Sequence, residues 1–206
     1  MKIGLILECG PMGADKQVCE YLIKKLNNKI IIYITTLNNK VNLINNCGKE
    51  AKTLLDEGCE KIIIVWDLYP SWKTEKPKKP NLAEDRNKIS DSLKKFNLDI
   101  NLNINIFLVC IIQELEAWLI SDEIALQQFL SNINSHCGRI SKVKDPEKIN
   151  NPKKVLNKIF KENIGLDYSD LLNAIQIIKL IDTNKLEKRC KSYKDFKNNI
   201  INKKNN

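Results

Sequence analysis

The stretch IIIVWDLYPS, Ile62 to Ser71, decides the fold. Four β-favouring apolar residues run through Trp66 into a single carboxylate, Asp67, and the chain then enters a proline- and lysine-rich segment. An unbroken apolar run, without a polar residue at every second position, marks a strand covered on both faces. Working outward, the same signature recurs in KIGLIL (2–7), KIIIYIT (29–35) and NINIFLVCII (103–112). Between these runs the apolar spacing changes to that of helices. Ala14 to Leu26 carries Val18, Tyr21, Leu22 and Leu26, and residues 42–57 carry Leu43, Ile44, Cys47, Ala51, Leu54 and Leu55, closed by Gly58. Residues 82–96 read as a more polar helix, and ELEAWLI after the fourth strand reads as helical.

The order β-α-β-α-β-α-β-α predicts an α/β fold, with a four-stranded, mainly parallel sheet sandwiched by helices. Right-handed crossovers then bring the carboxyl ends of the strands to one edge, where such sheets bind ligands. Past about residue 123 the pattern becomes helical. Residues 136–151 read as a polar loop, followed by helices at 151–160, 168–181 and 192–200 and a frayed tail, INKKNN. The expected division is a core at 1–122 and a helical extension at 123–206 packed on it.

Of the 206 residues, 43% are hydrophobic and 29% charged, the balance of a globular chain. No apolar run approaches the roughly 18 to 20 residues of a membrane helix. MKIGLILECG lacks the form of a signal peptide, so a cytoplasmic, membrane-free protein is expected. Seven cysteines contain no C-x-x-C pair, and the single histidine, His136, has only Cys137 beside it. That argues against a zinc finger and against a histidine-dependent triad, and makes the thiols small reduced hydrophobes. GPMG (10–13) lacks the lysine and hydroxyl of a phosphate-binding P-loop, and no G-x-G-x-x-G opens the first helix. The formal charge of +9 favours polyanionic partners. A chain so rich in Asn, Ile and Lys also allows the plainer reading of a compositional bias.

Glu8 ends the first strand, Asp67 the third, and Glu114 and Glu116 follow the fourth. Gathered carboxylates repel one another, and a hard divalent cation relieves the repulsion. Mg²⁺ takes oxygen ligands and keeps several waters, so two to four carboxylates and a substrate phosphate complete its shell. Glu114 and Glu116, two apart, do not share a helical face, so one is expected in the site and the other outward. Trp66 and Trp118 fall in apolar patterns and read as core. The loop SWKTEKPKKPN (71–81) joins Trp72 to Lys73, Lys76, Lys78 and Lys79, the pairing of ring and cations that grips single strands, and it reads equally as a plain solvated loop. Arg86 reads equally as a phosphate contact or as a surface arginine paired with an acid.

The ensemble resembles the Toprim fold of type IA topoisomerases, bacterial primases and overcoming-lysogeny-defect nucleases. It is most similar to small stand-alone Toprim proteins of the domain of unknown function 4276 type. ECGPMGADKQ, EDRNKI, QELEAWLISD and DPEKINNP carry the likeness, which spans roughly residues 2–200. The resemblance implies that Glu8, near Gly10, is a metal ligand or base and that Asp67 holds the metal. It further implies that Asp15 is the acid following the glycine, that Asp85 and Arg86 open the helix after the loop, and that Glu116 rather than Glu114 completes the shell. It implies a Toprim-like core, Mg²⁺- or Mn²⁺-dependent action on DNA or RNA, and an ATPase partner in phage defence. The Toprim motif carries Asp-x-Asp after the third strand; Asp67 matches its first aspartate and Tyr69 stands at the second, a replacement that the resemblance implies this subfamily tolerates. That departure keeps open a catalytically inactive subunit that binds nucleic acid or protein, and an enzyme acting on small phosphate esters is a third expectation.

Overall fold

The computed structural model describes residues 1–70, 80–100 and 105–201. The chain forms two compact units, one of Met1–Cys110 with Phe196–Asn206, the other of Ile111–Asp195.

The first unit is built on four parallel strands: β1 (Lys2–Leu7), β2 (Ile31–Thr36), β3 (Lys61–Asp67) and β4 (Ile106–Ile111). Their spatial order is β2-β1-β3-β4. Leu5 pairs with Ile34 on one side and with Ile63 on the other, which makes β1 a central strand. The helices are α1 (Ala14–Leu26), α2 (Lys40–Asp56) and α3 (Leu82–Lys94). This is an α/β architecture with a parallel sheet flanked by helices.

The continuous apolar runs are explained by burial on both faces. Ile3 to Leu7 and Ile62 to Trp66 are all at most 1% exposed where hydrophobic. One face, with Ile6, Ile62, Ile64 and Trp66, packs in a single cluster with Leu43, Cys47 and Ala51 of α2 and Ile89 and Leu93 of α3. Two glycines permit the close approaches. A Cβ on Gly48 would meet the Ser92 carbonyl oxygen at 2.1 Å, so α2 and α3 touch backbone to backbone there, and Gly48 N–H donates to Ser92 Oγ at 3.2 Å. A Cβ on Gly4 would meet Ile62 Cδ1 at 2.6 Å. At the opposite end of β3, the buried Lys61 donates to the carbonyls of Asn199 (2.5 Å) and Ile200 (3.1 Å), which close the carboxyl end of the last helix.

The chain order β1-α1-β2-α2-β3 with spatial order 2-1-3-4 reverses direction between β1 and β3. In open parallel sheets that reversal opens a crevice at the carboxyl ends of the two strands. Glu8 and Asp67 stand at those two ends.

The second unit is helical: α4 (Glu116–Leu119), α5 (Glu123–Ile133), a 3-10 turn at Pro146–Lys148, α6 (Pro152–Ile164), α7 (Asp170–Leu180), α8 (Thr183–Arg189) and the start of α9 (Lys191–Ile201). Helices α5 and α8 extend the expected set. Trp118 is fully buried and meets Tyr193 edge-on at 5.5 Å, while Phe160 packs on Phe129 and Tyr168. No helix of the described residues is long and apolar enough to cross a membrane.

Candidate functional site

In the first unit, Glu8 follows β1 directly, and its backbone N–H reaches the Val65 carbonyl at 3.3 Å, extending the β1–β3 pairing by one step. The Glu8 carboxyl is mostly out of water, and burial pushes its pKa up to about 7. Lys40 and the Asp67 backbone N–H work in the opposite direction, while the negative charges of Asp15 and Asp85 add to the rise. The carboxylate oxygen Oε2 is buried with no hydrogen-bond partner. Asp67, the last residue of β3, is half-buried beside it.

The acids near Glu8 come from separate elements. Asp15 lies in the first turn of α1, after a turn closed by Gly13 N–H to the Gly10 carbonyl at 2.9 Å. Asp85 lies in the first turn of α3, where Asn81 caps the helix by accepting from Ala83 and Glu84 N–H. Asp85 is buried, and burial raises its pKa against the pull of Lys40 and of Trp66, whose Nε1–H donates to Oδ2 at 3.2 Å. Arg86, the next residue, is exposed on the helix surface.

Lys40 is the residue that the sequence reading missed. It opens α2 behind the Asn39 cap, and its ammonium is buried. Nζ donates to the carbonyls of Leu68 (3.0 Å) and Pro70 (2.6 Å) and lies 3.5 Å from Asp85 Oδ2. It therefore fixes the chain as it leaves Asp67, through the half-exposed Tyr69, and brings positive charge to the acidic edge. Cys9 and Cys110 lie in the same field. Burial and nearby carboxylates raise both thiols, Cys9 to about 12, so neither is a thiolate at neutral pH.

In the second unit, Glu114 and Glu116 occupy different surroundings. Glu114 Oε2 accepts from Lys153 N–H at 3.2 Å, capping the first turn of α6 together with Asn151. Burial raises its pKa against that bond. Glu116 opens α4 and is 5% exposed. Burial opposes the charge on Lys153, but Asp170 at 2.7 Å, with Glu116 and Glu114, holds its pKa above the ordinary range. Gln113, just before this pair, has φ of 72°, an uncommon conformation for a side chain of its size. Glu147 of the DPEKINNP segment also has a structural task. Its carboxylate accepts from Lys191 N–H (2.8 Å), Ser192 N–H (2.9 Å) and the Ser192 hydroxyl, and that hydroxyl in turn accepts from Trp118 Nε1–H at 2.8 Å. The QELEAWLISD and DPEKINNP segments are thus joined through Trp118, Ser192 and Glu147.

Trp72, Lys73, Lys76, Lys78 and Lys79, expected to grip nucleic acid, lie outside the described residues. Among the described residues, no three His, Cys, Asp or Glu side chains are grouped as a metal cluster. The first unit nevertheless offers a donor set that fits a hydrated Mg²⁺ or Mn²⁺. It has two strand-end carboxylates on adjacent strands, and Glu8 Oε2 is buried with no hydrogen-bond partner. Such ions are commonly held by one or two carboxylates, with waters and substrate phosphate filling the rest of the shell.

No curated protein and no solved structure matches the chain. The model of the family described as Domain of unknown function (DUF4276) matches residues 13–201, a span that begins after β1 and Glu8 and runs through both units. With nine-tenths of its length matched, the chain belongs to the DUF4276 family.

Proposed function

We propose that the acidic edge of the first unit holds a Mg²⁺ or Mn²⁺ ion and that the protein is a Toprim-type hydrolase of phosphodiester bonds in DNA or RNA. The observation that carries this reading is Glu8, a buried carboxyl with an unpartnered oxygen and a pKa of about 7, at the crevice where the sheet reverses direction. Glu8 and Asp67 would hold the ion. When bound, such an ion supplies positive charge to a phosphoryl group and acidifies a water. The chain's own groups do the rest. In the metal-free chain Glu8 keeps its proton up to about pH 7, so it would give up that proton as the ion binds. Lys40 holds the Leu68–Pro70 carbonyls, and so fixes the exit of Asp67 toward the crevice. The net charge of +9 supports a polyanionic substrate, and the resemblance to stand-alone Toprim proteins supports a setting in phage defence with an ATPase partner.

The test is incubation of the protein and its Glu8→Ala variant with plasmid, linear and single-stranded nucleic acids in Mg²⁺, Mn²⁺ or EDTA. Cleavage that needs metal and is lost in the variant is expected. Metal-dependent cleavage that survives Glu8→Ala would reject the assignment.

Tyr69 and the absence of a three-acid group among the described residues favour a second reading, a catalytically quiet subunit that binds nucleic acid. It predicts salt-sensitive binding in EDTA with no cleavage under any condition.

A further inference from the structure

Most lysines of the second unit with an acidic neighbour are neutralised by it: Lys148 by Asp145, Lys153 by Asp170, Lys158 by Glu162, Lys161 by Asp167, and Lys185 by Asp122. Lys188, Lys191 and Lys194 are different. All three are exposed, and none forms an ion pair among the described residues. They also line one concavity of about 730 Å³ at the junction of α8 and α9. The guanidinium of Arg189 lies in the same wall, held by Glu123 Oε2 at 2.8 Å. Two acids share the lining, Glu147 and Glu187. Glu147 is already spent on the first amides of α9, so the end of that helix is capped from within and the lysines are the part left for a ligand.

Lys188, Lys191 and Lys194 outnumber the two carboxylates of the wall, and at a spacing of three residues these cations repel one another when the concavity is empty. An anion that meets all three at once removes the repulsion and releases its own counterions. A single small anion satisfies at most part of such a row. A polymer with a charge at every repeat satisfies all of it.

We propose that this cleft binds the phosphodiester backbone of a nucleic acid strand. The proposal rests on the nucleic-acid part of the function given above, and is independent of cleavage and of metal. The lysines act as point charges on the backbone, which carries no sequence information, so binding through this cleft is indifferent to base sequence.

The test uses the full-length protein in EDTA, with fluorescein-labelled single-stranded and duplex oligonucleotides titrated at several salt concentrations. Three forms are compared: the wild type, Lys188→Gln/Lys191→Gln/Lys194→Gln, and a control with the same loss of charge, Lys49→Gln/Lys94→Gln/Lys95→Gln, whose side chains are all exposed. The cleft variant is expected to bind at least ~10-fold more weakly, with a salt dependence flatter by about two to three in the log–log slope, a little under one for each phosphate no longer neutralised. The control stays within about 3-fold of the wild type. Equal losses in both variants would reduce the effect to net charge and overturn the proposal. So would wild-type affinity in the cleft variant, or no binding of either strand form by the wild type. Binding that disappears with the cleft in a protein that never cleaves would leave this site standing while removing the hydrolase reading.

Discussion

Lys40 Nζ stands 3.5 Å from Asp85 Oδ2, and only 5% and 2% of the two side chains are exposed. A pair so far out of water is costly to assemble, and breaking it strands the partner as a lone buried charge. The ammonium also fixes the Leu68 and Pro70 carbonyls, and the carboxylate fixes the Trp66 indole. Lys40→Met is therefore expected to cost about 3 kcal/mol in urea unfolding. Adding Asp85→Asn, which removes the stranded charge and keeps an acceptor for Trp66, restores a good part of the loss. A single variant within 0.5 kcal/mol of the wild type, on the order of a surface change, would contradict the pairing.

The pKa of Glu8 sets a pH dependence of definite sign. The folded chain keeps the Glu8 proton up to about pH 7, while the unfolded chain releases it near 4.5. Between those values the folded state binds more protons, so this group's contribution is fully present at low pH and is lost as pH rises through that window. Asp15 and Asp85 push the same way and Lys40 opposes them. In EDTA, Glu8→Gln should match the wild type near pH 4.5 and exceed it by on the order of 2 kcal/mol at pH 8, with the value reduced for partial exposure. A gap that does not change with pH would show that the carboxyl is solvated.

Glu147 satisfies two amides and a hydroxyl at the start of α9. Glu147→Ala orphans these donors and loosens the Ser192 acceptor of Trp118, for an expected loss of about 2 kcal/mol. Thermal unfolding measures the cost, and a shifted Trp118 emission reports the loosened hydrogen bond. An unchanged melting point would place the carboxylate in solvent.

Gly48→Ala drives a methyl group toward the Ser92 carbonyl, which lies 2.1 Å from where its carbon would stand. Helices α2 and α3 must move apart, at a cost of about 3 kcal/mol despite the better helix propensity of alanine. Chemical unfolding that shows Gly48→Ala as stable as the wild type would mean the two helices do not touch there.

The α/β core is legible because its strands are buried on both faces, and runs such as Ile62–Val65 are short, β-branched and bounded by breaks in the apolar pattern. Helix α8 left no such trace: it is seven residues long with one buried side chain, Leu186, too few for a period. Helix α5 has the period in Ala125, Leu126, Phe129 and Leu130, but it follows ELEAWLI so closely that the two apolar segments merge. Glu8 and Asp67 could be named from strand ends alone. Lys40 could not, because a lysine's burial depends on Asp85 and on the Leu68–Pro70 carbonyls, remote in sequence. Glu114 and Glu147 show the converse limit. Both read as candidate or motif acids, and both are engaged at helix starts 39 and 44 residues away.

The most direct measurement is calorimetric titration of Mn²⁺ into the metal-free protein at pH 7.5, beside Glu8→Gln and Asp67→Asn, with Glu114→Gln as a control. Saturable binding is expected for the wild type and for Glu114→Gln, lost or weakened by at least about 10-fold in the other two. Binding by Glu8→Gln equal to that of the wild type, or no binding by the wild type, would contradict this expectation.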